Sequence, residues 1–144
     1  MSITQLPSAN DRVVLEAAFP ELTPQQLYDH FTQPELLTKW WSSEAETDLK
    51  IGGVYCLSWP QMNWNLRGKY TIVESGKLLS YTWKWDHEPD MPARDVTVFF
   101  APDGGGSTLW IVHGYYGDDE SEQKDRQSHL DGWLHFLAQL QEMG

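Results

Sequence analysis

The sequence predicts a single α+β domain over residues 1–144, in which an antiparallel sheet of about six or seven strands curls around one long C-terminal helix, with two short helices after the first strand. Three observations predict it. Hydrophobic spacing changes from helical to two-fold after Trp41, turn signals divide the middle of the chain into five strand-like runs, and helical spacing returns over residues 118–142.

Over residues 13–19 apolar and polar positions roughly alternate, so Val13, Leu15, Ala17 and Phe19 share one face of the first strand. Two helix starts follow. Thr23-Pro24-Gln25-Gln26 fits a capping box with proline just inside the helix, and Thr32-Gln33-Pro34-Glu35 repeats the pattern. Leu22, Leu27, Tyr28, Phe31, Leu36, Leu37, Trp40 and Trp41 supply the buried sides, the Trp pair ending the second helix. Turn signals at Gly52-Gly53, Pro60, Ser75-Gly76, residues 89–92 and residues 103–106 then punctuate a meander. In its clearest strand, Trp64, Leu66, Gly68, Tyr70 and Ile72 alternate with Asn63, Asn65, Arg67, Lys69 and Thr71. Leu79, Tyr81, Trp83 and Trp85 set three large aromatics side by side on the next strand. By the same rule Val96, Val98 and Phe100 face inward, as do Leu109, Ile111 and His113, and Tyr55, Leu57 and Trp59, while Trp110 faces outward. The final helix carries Leu130, Trp133, Leu134, Leu137 and Leu140 at helical spacing, with Ser121 or a neighbouring Asp as its cap.

Charge and cysteine usage narrow the function classes. Twenty-one acidic against ten basic side chains give a formal charge of -11, which disfavours nucleic acid and anionic membrane surfaces as partners. The N-terminal residues lack a basic segment and an apolar run, and no stretch of about 18 apolar residues occurs, so a cytoplasmic location without membrane insertion is expected. The single cysteine, Cys56, excludes an internal disulfide and a multi-thiolate metal site, as suits a reducing compartment.

The order of elements, with Phe31-Thr32-Gln33-Pro34-Glu35 through Trp40-Trp41, Gly52-Gly53, Gly68-Lys69-Tyr70, Tyr81-Thr82-Trp83, Val96-Thr97-Val98 and His129-Leu130-Asp131-Gly132-Trp133, resembles the heat-shock-protein-90 ATPase activator homologue family. That family belongs to the START-like, or birch-pollen-allergen-like, superfamily with its helix-grip fold, and the resemblance covers about residues 12–140. The superfamily includes lipid carriers, cyclases, hormone receptors and co-chaperone domains, so the resemblance implies architecture more than chemistry. The eukaryotic activator joins this domain to a second, N-terminal one, for which 144 residues are expected to leave no room.

In the helix-grip fold the sheet and the last helix hold a cavity, the usual form of a small-molecule site. The expected lining is Trp40, Trp41, Trp59, Trp64, Tyr70, Tyr81, Trp83 and Trp133, with His113 as a polar contact; the alternative is a filled core in which these rings touch one another. The expected function is binding of a small apolar or lipid-like ligand, with two alternatives: a chaperone-interacting domain, implied by the resemblance, and a cyclase- or hydrolase-like enzyme using the same cavity. A monomer or homodimer needing no cofactor or metal is expected. The acidic run Asp118, Asp119, Glu120, Glu122 and Asp125 lacks calcium-loop spacing and suits a helix N-terminus. Asp86, His87, Glu88 and Asp90 read as a solvated hairpin tip, and His129 as a packing or capping residue. No nucleophile–base pair is identifiable from order or spacing, so no catalytic residue is assigned.

Overall fold

Alternating runs can bury one face while hydrogen-bonding along both edges, and they do so in one open antiparallel sheet. The computed structural model describes residues 3–143. Its strands are β1 (Ile3–Gln5), β2 (Arg12–Phe19), β3 (Glu44–Thr47), β4 (Val54–Trp59), β5 (Trp64–Glu74), β6 (Leu78–Trp85), β7 (Arg94–Asp103) and β8 (Gly106–Gly114). Its helices are α1 (Pro24–Thr32), α2 (Pro34–Trp40) and α3 (Glu120–Met143). The strand order is β1-β2-β8-β7-β6-β5-β4-β3, which leaves β1 and β3 at the edges.

This sheet has eight strands, more than the six or seven expected. The two additions are the short edges. Glu44-Ala45-Glu46-Thr47 offers only Ala45 as an apolar side chain to the core, and β1 is three residues long, so neither leaves a hydrophobic period to read.

Curvature follows from what α3 touches. Its Arg126 donates to Arg12 O and its Gln141 to Ala18 O, so it runs along β2, yet its Phe136 ring lies 6.5 Å from Trp59 on β4. Between β2 and β4 lie four strands, a span of roughly 24 Å at about 4.8 Å per strand. A helix of roughly 10–12 Å diameter reaches both flanks only if the sheet bends around it. Leu130, Trp133, Leu137 and Leu140 form its buried stripe. Leu134, expected on that stripe, is exposed, because the neighbouring positions already fill the roughly 100° of helix that faces the sheet.

The caps follow sequence chemistry with one exception. Thr23 and Gln26 exchange hydrogen bonds at 3.1 and 2.9 Å, completing the first capping box. The second does not form. Thr32 is the last residue of α1 and donates its hydroxyl to Tyr28 O, while Gln33 takes the N-cap of α2 without a side-chain bond. On α3 the cap is Asp119, whose Oδ1 accepts from Glu122 N and from the Ser121 hydroxyl. Gly104 and Gly105, both at positive φ, make the tight β7–β8 turn.

One irregularity alters the strand reading. The β5–β6 register slips by one residue between Tyr70 and Ile72, so beyond the bulge the faces exchange. Ile72, expected inside, is exposed, and Val73 packs against the core instead. Trp64, also expected inside, is 40% exposed at the start of β5.

Gly68 stands opposite Tyr55 across β4–β5, where the Tyr55 ring crosses to donate its hydroxyl to Thr82 O at 2.7 Å. A Cβ at Gly68 would overlap the Thr82 carbonyl and lie 2.7 Å from Tyr55 Cε2. Gly68→Ala should therefore destabilise the protein by about 2 kcal/mol or more, read as a lower urea midpoint at unchanged slope. An unchanged midpoint would mean that the two strands yield without cost.

Candidate functional site

Two-residue spacing on strands and three-to-four-residue spacing on α3 bring a set of large rings to one end of the sheet. Trp83 and Trp85 share a face of β6. Trp59 and Trp64 are register partners that close the β4–β5 hairpin around a 3-10 turn at Pro60–Met62. From α3, Asp125, His129, Gly132, Trp133 and Phe136 face the same space, and Trp41 arrives from the end of α2. With Met62, His87, Glu88 and Ser128 they enclose a cleft of about 220 Å³. The walls meet at varied angles: Trp83 and Trp85 lie 5.8 Å apart at 89°, Trp64 and Trp85 5.9 Å apart at 64°, and Trp41 and Trp133 5.1 Å apart at 47°. Aromatic pairs at such distances are individually favourable, so the walls hold one another in place.

Gly132 contributes by having no side chain. A glycine inside a helix costs about 1 kcal/mol relative to alanine, and a Cβ placed there would meet nothing within 4 Å. Its neighbours do not need the glycine; the open space beside it does.

Behind the aromatic walls is a buried polar chain. Arg94 occupies an inward position at the start of β7, where a strand would ordinarily place a hydrophobe, and is 2% exposed. All five of its N–H groups are used: two on Asp125 Oδ2, two on the Glu122 carboxylate and one on Tyr115 O, at 2.6–3.1 Å. Its guanidinium also lies 4.2 Å from the centre of the Tyr116 ring. The Arg94 hydrogen bond, then that of Gly117 N, holds the Glu122 carboxyl below its usual value.

The Tyr116 hydroxyl is 2.6 Å from His129 Nδ1 and has no other partner among the described residues, so it donates there and leaves the ring proton on Nε2. That Nε2 lies 3.5 Å from Asp125 Oδ1, within reach of its charge but without a hydrogen bond. His113 stacks on His129 with centroids 4.6 Å apart and rings 9° from parallel. Because Trp133 Nε1 can only donate, His113 Nδ1 accepts from it at 3.0 Å. Burial, then the neighbouring His129 and Arg94 charges, holds His113 well below the ordinary histidine value. Burial likewise takes His129 down to about 4, against a smaller upward pull from Asp125. Both rings are thus neutral near pH 7. Trp83 and His129 both line the cleft, and their buried Nε1–H and Nε2–H have no hydrogen-bond partner among the described residues. Glu88 also lines the cleft, its carboxyl raised first by desolvation and then by the Asp125 charge.

Of the residues expected to form a site, the structure brings Trp41, Trp59, Trp64, Trp83 and Trp133 together. Four others lie elsewhere. Trp40 sits behind Trp41, stacked at 5.2 Å, and donates to His30 O; Tyr70 and Tyr81 pack with Tyr55, Phe31 and Leu37; His113 is fully buried one layer below Trp83 and Trp133. Sequence reasoning left out Trp85, Phe136, Glu88, Asp125 and His129. For Trp85 the signal was present in the alternation, and for Asp125 and His129 in their four-residue spacing ahead of Trp133. Cys56 lies away from the cleft, half-buried and 3.6 Å from Ser58 Oγ. Among the described residues no group of three or more His, Cys, Asp or Glu could hold a metal ion, and no helix is long and apolar enough to cross a membrane.

Residues 21–144 match the family model described as activator of Hsp90 ATPase homolog 1-like protein. Among solved structures, protein MLL2253 from Mesorhizobium loti is similar at a TM-score of 0.80 and 24% identity, covering 91% of this chain and 94% of that one. Protein CV1439 from Chromobacterium violaceum is similar at a TM-score of 0.75 and 22% identity, covering 92% and 96%. CalU16 from Micromonospora echinospora is similar at a TM-score of 0.69 and 16% identity, covering 95% and 82%. These likenesses show the helix-grip fold. No curated protein matched in sequence.

The neutral histidines set a pH dependence. The unfolded chain protonates His129 near 6.5 and the folded protein only near 4, so between those values the unfolded state holds more protons and stability falls as pH falls. By pH 4.5 the loss from His129 should reach about 2–3 kcal/mol. The Glu122 contribution disappears only on further acidification through its lowered folded value, below the ordinary 4.5. Urea midpoints measured between pH 7.5 and 4.5 should drop, and in His129→Gln the drop should be shallower. An equal slope in the variant would remove His129 as its source.

Proposed function

Given that the chain belongs to the activator of Hsp90 ATPase homolog 1-like family, whose fold commonly binds ligands or serves as an Hsp90 ATPase activator homolog, we propose that it binds a small flat molecule in the tryptophan cleft. The observation that carries this reading is an aromatic cleft of about 220 Å³, two of whose lining residues, Trp83 and His129, hold a buried N–H without a hydrogen-bond partner among the described residues. Apolar walls with a few placed polar groups are the common make-up of a small-molecule site. The size sets the class. A cavity of about 150 Å³ accepts benzene, so this one suits one or two rings and is too small for a long acyl chain. The rings would lie against Trp83, Trp85 and Trp133, with one acceptor atom turned toward Trp83 Nε1–H and His129 Nε2–H.

A second reading rests on the same donors. A carbonyl oxygen held by two N–H groups becomes a better site for negative charge, and Glu88, in the same lining and raised by desolvation and Asp125, would be the group to take a proton. Proton abstraction next to a carbonyl is the reaction class such a set would support. Turnover that is lost in Glu88→Gln while binding remains would establish it.

Native mass spectrometry of gently purified protein should show a stoichiometric adduct, or a shift with one- and two-ring compounds carrying an acceptor atom. Gly132→Leu should abolish binding by filling the cleft without unfolding the protein, and Gly132→Ala should raise stability by about 0.5–1 kcal/mol. Trp83→Phe, which keeps a ring and loses the N–H, should weaken acceptor-bearing ligands about tenfold, the worth of one hydrogen bond. Binding that survives Gly132→Leu would move the ligand away from this cleft, and a pull-down with Hsp90 would then become the leading test.

A further inference from the structure

The charges around the cleft are unbalanced. Its lining includes two carboxylates, Asp125 and Glu88, and neither lysine nor arginine. Arg94 is the nearest buried cation, but it is shared by Asp125 and Glu122, so that group keeps a net negative charge. His113 and His129 near it are neutral near pH 7, and His87, which also lines the cleft beside Glu88, is exposed. Glu88 makes no hydrogen bond or ion pair through its side chain among the described residues, and it is half-buried on the cleft wall. Partly desolvating a carboxylate without a counterion is costly, and an arriving positive charge would remove that cost.

The indoles point the same way. An aromatic face is the negative part of the ring quadrupole, and rings set at steep angles around one space form a cage that attracts a cation without hydrogen-bonding it. Trp85 stands at 64° to Trp64 and at 89° to Trp83, and His87 stacks on Trp64 with centroids 5.1 Å apart. The formal charge of -11 also raises the local concentration of cations.

We propose that the cleft selects an organic cation, an alkylated or ring-bearing ammonium whose charged head is caged by indole faces and paired with Glu88. This rests on the ligand-binding reading and specifies its class. The neutral acceptor-to-donor contact and the ammonium head then occupy different ends of one molecule.

Two probes of the same shape separate the inference from the reading beneath it: phenyltrimethylammonium and tert-butylbenzene, titrated by calorimetry at low salt into the wild-type chain, Glu88→Gln and Gly132→Leu. The expected result is at least tenfold tighter binding of the ammonium, a several-fold loss of that preference in Glu88→Gln, and loss of both ligands in Gly132→Leu. Equal affinities, or tighter binding of the hydrocarbon, would overturn cation selection and leave the cleft as a binding site. An ammonium preference unaffected by Glu88→Gln would overturn the pairing with Glu88. Binding of neither probe would overturn both the inference and the reading on which it rests.

Discussion

The guanidinium of Arg94 is the tie on which the site depends. It joins the first inward position of β7 to the first turns of α3, and every one of its donors is used. A buried arginine with all five N–H groups satisfied is specific in a way that apolar packing is not, because rotating or sliding the helix would leave charges unpaired in a dry environment. Asp125, held there, sets the helical phase for His129, Trp133 and Phe136 on the following turns. Removing one partner would strand the other, a cost of about 3–5 kcal/mol by comparison with other buried pairs. The same clamp leaves the region negative, which is how one structural ion pair also sets the electrostatic character of the cleft.

Filled core and open pocket turn out to be properties of different ends of one sheet. Toward α1 and the β5 bulge, Phe31, Leu37, Tyr55, Tyr70 and Tyr81 close on one another and leave only about 10 Å³ between them. Toward the β4–β5 hairpin the rings are larger and touch at steep angles around open space, and Gly132 withholds the side chain that would close the gap. A sequence rich in aromatics does not reveal which of these regimes each ring joins, since that depends on angles and on the helix opposite.

The fold was legible because its signals are periodic. Residues 13–19, 79–85, 96–100 and 109–113 alternate as written, and the helix stripe at Leu130, Trp133, Leu137 and Leu140 is buried as read. The exceptions have local causes: one extra residue at Thr71 turns Ile72 outward, and a four-residue edge such as β3, with Ala45 as its one apolar side chain, is too short to show a period. The site was half legible. Three tryptophans were identified from strand faces and two, Trp41 and Trp133, from helical spacing, whereas Arg94 was invisible because a charged residue carries no period and acquires meaning only from partners 28 or more residues away. His113 shows the converse: an unusual residue on an apolar strand face whose partner, Trp133, is structural.

The open sheet leaves one edge at β3, where Glu44 and Glu46 are both exposed. A free strand edge is a template on which a second chain could extend the hydrogen-bond ladder. Two copies meeting there in antiparallel fashion would bring their glutamates into one desolvated seam, like charge against like. The charge on this edge thus discourages its own continuation by a second copy.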